Sequence, residues 1–287
     1  MPSHDPLVDA AALAARLDDA DLRVVDVRWV LGSPGAGRAA YLAGHIPGAI
    51  HVDIDADLAL PPGPGRPGRH PLPSPADVAS RLGALGIGDE HEVVAYDDVG
   101  GWVAARLWWM LDDLGHDRVA ILDGGIGAWE AAGLPLSTQV PDHPPARLSL
   151  ATDWRRTIDR EALRAGLGRV RLLDARAGAR YRGETEPIDP VAGHIPTAVS
   201  APTDGNLGPD GTFLDPAALA KRFRSIGAGG SQGEVVTSCG SGVAACHNAL
   251  AMRAAGLPDP ILYVGSFSDW SSSGYPIATG PDPGDPA

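Results

Sequence analysis

Between Val235 and Arg253 the chain reads V-V-T-S-C-G-S-G-V-A-A-C-H-N-A-L-A-M-R, and Cys239 is the residue in it best suited to chemistry. Three β-prone residues, Val235 to Thr237, run into Ser238 and Cys239; Gly240 and Gly242 then flank Ser241, and from Val243 onward apolar residues recur at helical spacing. The pattern predicts a strand, a tight loop and a helix over 243–253. Gly240 and Gly242 accept backbone angles that other residues avoid, so such a loop can turn several N–H groups inward around the Cys239 sulfur. The positive end of the following helix adds to that field and favours an anionic sulfur. A cysteine near a strand end is more often a small apolar filler than a nucleophile. A filler has no need of glycines on both sides of a serine directly after it, whereas a nucleophile at the base of an anion-holding loop does.

The second cysteine, Cys246, falls inside the expected helix, where it cannot reach Cys239 for a bond and reads as a core residue. The chain has no C-x-x-C pair and no cluster of His with Cys at zinc spacing, so neither a metal nor a cofactor is expected. Its 23 basic and 36 acidic residues leave a formal net charge of −13, which repels phosphate backbones and anionic lipid. Nucleic acid and membranes are therefore not expected as partners. No apolar run of about 18 residues occurs, and the opening M-P-S-H-D-P-L-V-D lacks the basic and apolar parts of a secretory signal, so a cytoplasmic location is expected.

The elements that must position Cys239 occur twice. In the first half the sequence predicts a helix over 8–17, a strand over 23–28, and a loop rich in Gly, Pro and Arg over 61–73. Ser74 then caps a helix whose first residue is Pro75; a strand over 93–96, a helix over 101–114, a strand over 119–122 and a helix ending at Gly133 follow. The second half repeats the order. D-A-R at 174–176 answers D-V-R at 26–28, A-G-H-I-P at 192–196 answers the same five residues at 43–47, and Asp215-Pro216 answers Ser74-Pro75. Val235-Val236 answers Val93-Val94, and G-S-F-S-D-W ending at Trp270 answers G-G-I-G-A-W ending at Trp129. Alternating strands and helices predict an α/β fold of tandem duplicated domains, each a parallel sheet of about five strands with helices on both faces. The expected boundaries are a first domain over 1–136, a Pro-rich linker over 137–153, a second domain over 154–279 and a disordered tail over 280–287.

Duplication separates fold from chemistry. His45 and His194, Asp26 and Asp174, and Trp129 and Trp270 stand in both halves and are assigned to structure. At the position of Cys239 the first half has Asp97, so that half is expected to be catalytically silent.

The C-G-S-G-V run at 239–243 resembles the active-site loop of the rhodanese-like sulfurtransferases, in the form found in the 3-mercaptopyruvate sulfurtransferase branch, and the resemblance covers nearly the whole chain. It implies tandem rhodanese-like domains and a reaction in which Cys239 takes sulfane sulfur from 3-mercaptopyruvate, carries it as a persulfide and passes it to cyanide or a thiol, a thioredoxin among the candidates. No cofactor is implied. The resemblance assigns Ser241, His70 and Asp53 as catalytic partners of Cys239, and Gly240, Gly242, Val243 and Ala244 to the substrate-binding loop, where the family commonly has Thr in place of Ala244. Arg180 matches the family's substrate-binding arginine. A second arginine usually follows in a P-E-P-R stretch; here E-P-I-D-P has Ile188 and Asp189 instead, and Arg182 is the nearby substitute. Two other readings are a thiosulfate:cyanide sulfurtransferase and a non-catalytic rhodanese-like module, the latter opposed by the retained thiol. The related phosphatases need an arginine six positions after the cysteine, where this chain has Ala245.

Overall fold

The central strands of each sheet are short runs, mostly aliphatic, that are largely buried, as parallel strands under helices must be. The computed structural model describes residues 5–230 and 233–286; the opening residues Met1 to His4 and the last residue, Ala287, on which the signal and tail expectations partly rested, lie outside the described residues.

The first sheet contains β1 (Leu7–Val8), β2 (Leu22–Asp26), β3 (Ile50–His51), β4 (Glu92–Tyr96) and β5 (Val119–Leu122), in the order β1-β5-β4-β2-β3. Its helices are α1 (Ala10–Ala14), α2 (Ala36–Ala43), α3 (Pro75–Ala84), α4 (Ala104–Asp113) and α5 (Gly125–Ala131). The second contains β6 (Thr157–Ile158), β7 (Arg171–Asp174), β8 (Val199–Ser200), β9 (Val235–Ser238) and β10 (Ile261–Tyr263), in the order β6-β10-β9-β7-β8. Helices α6 (Arg160–Gly166), α7 (Gly178–Tyr181), α8 (Pro216–Ser225), α9 (Ala245–Ala254) and α10 (Ser266–Trp270) go with it. Every strand pairing is parallel. The two orders are the same permutation, and the five strands per half expected from the sequence are present. The edge strands β1 and β6 were not expected. With two residues each, they carry no periodicity, and Val8, read from the sequence as helical, is a strand residue instead.

Landmark residues do the same work in each sheet. Arg28 and Arg176 each bond the carboxylate two residues before them, Asp26 and Asp174, and reach the carbonyls of Gly44 and Gly193. His45 and His194 are buried, stack on Tyr41 and Tyr181, and face a backbone carbonyl with each ring nitrogen. The helix starts read from the sequence occur as expected: Ser74 and Asp215 accept the N–H groups of Asp77 and Ala218, with proline next in the chain.

The chain divides into two compact units that are not collinear with the halves. One holds the residues up to Ala59, Pro73–Arg155 and Gly208–Phe213; the other holds Leu60–Leu72, Arg156–Leu207 and the residues from Leu214 on. The expected linker runs within the first unit, where Ala146 and Ala151 donate to Gly83 and Leu114. In the stretch expected to be a tail, residues 280–283 bond to other parts of the second unit. Gly280 donates to Arg182, while the Asp282 and Pro283 carbonyls receive His194 Nε2 and the Thr197 N–H. Proline and glycine remove helix and strand options from such a segment, yet leave its carbonyls available for fixed partners.

Candidate active site

Cys239 directly follows β9, at the carboxyl end of the sheet, where open parallel sheets place reactive groups. It is 3 % exposed. Its Sγ receives the Gly242 N–H at 3.1 Å. Gly242 must be glycine twice over: its φ is +79°, and a Cβ there would stand 2.5 Å from the Val264 carbonyl oxygen. The left-handed residue also explains why the helix begins at Ala245 and not at Val243, since the loop must finish turning first. Val243 is buried, Ala244 occupies the cap position of α9, and the helix is buried along Ala245–Met252, so the loop rests on a rigid base.

A second segment clamps the loop backbone. Ser266 Oγ accepts the Cys239 N–H at 3.0 Å and donates to the Tyr263 carbonyl, the Phe267 N–H bonds the Cys239 carbonyl, and the Ser268 N–H bonds that of Gly240. Ser266 holds φ +50°, a strained angle for a residue with a side chain.

Ser241 and His70, far apart in sequence, meet here: Ser241 Oγ and His70 Nδ1 are 2.7 Å apart, both buried. His70 arrives because the 60–72 segment belongs to the unit that holds Cys239. Leu60 bonds Pro71 across the base of that segment, the Arg69 N–H bonds Ser268 Oγ, and Gly68 (φ +73°) lies so close to Gly265 that a Cβ would stand 2.5 Å from its carbonyl. Asp53 belongs to the first unit, and its Oδ1 accepts the Asp55 and Ala56 N–H groups.

Arginines face the loop. A Cβ built on Gly240 would stand 2.9 Å from Arg69 Nη2 and 3.6 Å from Arg180 Nη1. Glu186 holds Arg180 through Nε and Nη2, and Asp189 joins Arg180 to Arg69. Burial pushes the Asp189 carboxyl up from its ordinary range, against the pull of Arg69 and Arg180. Burial also pushes Glu186 up, but its bonds to Arg180 and to the Asp189 and Ile188 N–H groups outweigh this and leave it below its ordinary value. Arg182 is engaged elsewhere, in a two-bond pair with Glu184 at the surface.

The structure thus brings Cys239, Gly240, Ser241, Gly242 and His70 together with Arg180, whereas Arg182 pairs with Glu184 and Asp53 caps a turn of the other unit. Sequence reasoning missed Arg69, Ser266 and Asp189. A signal for Ser266 was available, because it stands where the first half has Gly125. Among the described residues no group of three or more His, Cys, Asp or Glu is arranged to hold a metal, and no helix is long and apolar enough to cross a membrane.

Two parallel five-stranded sheets of identical order, one of them followed by a cysteine whose sulfur receives the Gly242 N–H, define a duplicated α/β protein with a thiol at the end of its second sheet. The sequence matches the rhodanese-like domain over residues 9–132 and 159–273, and the chain belongs to the rhodanese family. It is 48 % identical over 282 residues to a protein of Pseudomonas aeruginosa named "Probable 3-mercaptopyruvate sulfurtransferase", covering 97 % of this chain and 99 % of that one. It is 36 % identical over 270 residues to human 3-mercaptopyruvate sulfurtransferase, covering 91 % and 89 %. The solved 3-mercaptopyruvate sulfurtransferase from Leishmania major superposes with a TM-score of 0.82 at 31 % identity, over 95 % of this chain and 76 % of that one.

Proposed function

We propose that this chain is a sulfurtransferase that takes sulfur from 3-mercaptopyruvate onto Cys239. The Cys239 thiolate attacks the donor sulfur, the donor C–S bond breaks with its electron pair left on carbon, and the resulting enolate gains a proton to become pyruvate. The proton is the one the donor thiol gives up, and in this reading the Ser241–His70 pair, 2.7 Å apart, relays it. Cys239 is left as a persulfide, whose outer sulfur passes to cyanide or to a thiol such as that of a thioredoxin. The observation that carries this reading is the Gly242 N–H aimed at Sγ beside the Ser241–His70 pair, since a buried anionic sulfur needs such donors and a structural cysteine does not. Asp53 is a member of the relay by resemblance alone, and Asp53→Asn tests it. A cytoplasmic location belongs to the same proposal and is read by cell fractionation.

Intact-mass measurement after incubation with 3-mercaptopyruvate is expected to show the added mass of one sulfur atom on the wild-type chain and none on Cys239→Ser. Turnover with thiosulfate well above that with 3-mercaptopyruvate, cyanide being the acceptor in both, would overturn the donor assignment.

A further inference from the structure

We propose that Arg69 supplies the second guanidinium of this site and, with Arg180, binds the carboxylate of the sulfur donor. The inference rests on the donor reading above and adds to it a residue from a segment, 60–72, that the sequence places in the other half of the chain. A carboxylate is held best by two N–H groups converging on its two oxygens. Carboxylates already hold the far edges of both arginines. Glu186 and Asp189 take Nε and Nη2 of Arg180, and Asp189 takes Nη1 of Arg69. What each arginine leaves toward the loop is a different nitrogen: Arg180 Nη1 and Arg69 Nη2, both close to the place a Gly240 side chain would fill.

Arg69 Nε is buried and has no hydrogen-bond partner. The Nε–Nη2 edge of Arg69, the edge whose two N–H groups match a carboxylate, is therefore the one turned to the loop. Glycine at 240 lets the Arg69 guanidinium lie against the loop, since a Cβ there would press on Nη2 at 2.9 Å. Asp189 stands in the stretch where the resemblance led us to look for a second arginine, and in this chain it holds the arginine contributed by residue 69 instead.

The test compares 3-mercaptopyruvate with mercaptoacetone, which has the same thiol and ketone but no carboxylate. Arg69→Met is expected to raise the KM for 3-mercaptopyruvate about 30-fold, the loss of a charge-assisted pair of bonds, with a smaller change in kcat. Arg69→Lys should recover part of that loss, and KM for mercaptoacetone should stay within about twofold in both variants. Because Arg69→Met leaves Asp189 paired with Arg180 alone, the double variant Arg69→Met/Asp189→Asn is measured beside it and is expected to show the same selective loss. An equal loss on both donors, or no loss on either, would overturn the proposal. If the wild-type chain ignored 3-mercaptopyruvate, the donor reading would fall, and calorimetric binding of pyruvate would still decide on Arg69: equal affinity in wild type and Arg69→Met would sink it.

Discussion

The loops that follow β4 and β9 start at equivalent positions and close around different side chains. Tyr96 pairs with Asp26 as Ser238 pairs with Asp174, so the next residues, Asp97 and Cys239, are structural counterparts. Asp97 is fully buried, and its carboxylate accepts the N–H groups of Val99, Gly101, Val103 and Ala104 at 2.8–2.9 Å. In the first unit the loop therefore closes around an oxygen anion of its own chain. In the second the same strand end presents a sulfur that receives the Gly242 N–H. The backbone around the two residues is otherwise alike: the Ile126 N–H bonds the Asp97 carbonyl as the Phe267 N–H bonds that of Cys239. A loop that turns backbone N–H groups toward the residue at its base is thus shared by the two units: four reach Asp97, and that of Gly242 reaches Cys239.

Exchanging the two base residues for neutral ones should break the comparison most clearly. Cys239→Ser is expected to cut sulfur transfer about a thousandfold or more while the melting temperature moves by no more than about 2 °C. Asp97→Ala should do the reverse. Four N–H groups, three of them in buried bonds, lose their acceptor, and chemical denaturation should show about 3 kcal/mol less stability, with turnover per folded molecule unchanged. Loss of activity from Asp97→Ala, measured on fully folded protein, would mean that the first loop is not silent.

Ser266 sharpens the contrast at smaller amplitude. Its counterpart Gly125 takes φ +58° at no steric cost, whereas Ser266 holds +50° against a penalty of about 1 kcal/mol and bonds the Cys239 N–H. Ser266→Gly should relieve the strain and lose the bond, leaving stability within about 1 kcal/mol of wild type while kcat falls about fivefold. Unchanged kcat would reduce Ser266 to a fold residue like Gly125.

The smallest effect concerns pH. Glu186 has a folded pKa below its unfolded one, so the stability it contributes is fully present above the unfolded value and is lost as pH falls through the folded value. Glu186→Gln should therefore lower the melting temperature at neutral pH and flatten its fall under acid; an unchanged acid limb would remove Glu186 from the set of groups that titrate on unfolding.

Much of this molecule was legible in the residues alone because it depends on neighbours in the chain. Ser74-Pro75 and Asp215-Pro216 start helices through bonds that span three residues, the D-x-R pairs close over two, and Gly242 follows from the local turn. The duplication was readable because its landmarks keep their order, and Cys239 because a strand, two glycines and a helix surround it. The residues that complete the site obey no local rule. His70 meets Ser241 across 171 positions and Arg69 bonds Ser268 across 199, through a segment that sequence order assigns to the other half. Asp189 stands where the resemblance had an arginine, and only the tertiary structure shows that it pairs with Arg69. Local hydrogen bonding and periodicity set the loop and its cysteine, which is why the sequence by itself determined the fold and the place of Cys239 in it. Which side chains surround that sulfur was decided by the tertiary structure, since ion pairs and buried hydrogen bonds depend on distance in space and leave no fixed spacing along the chain.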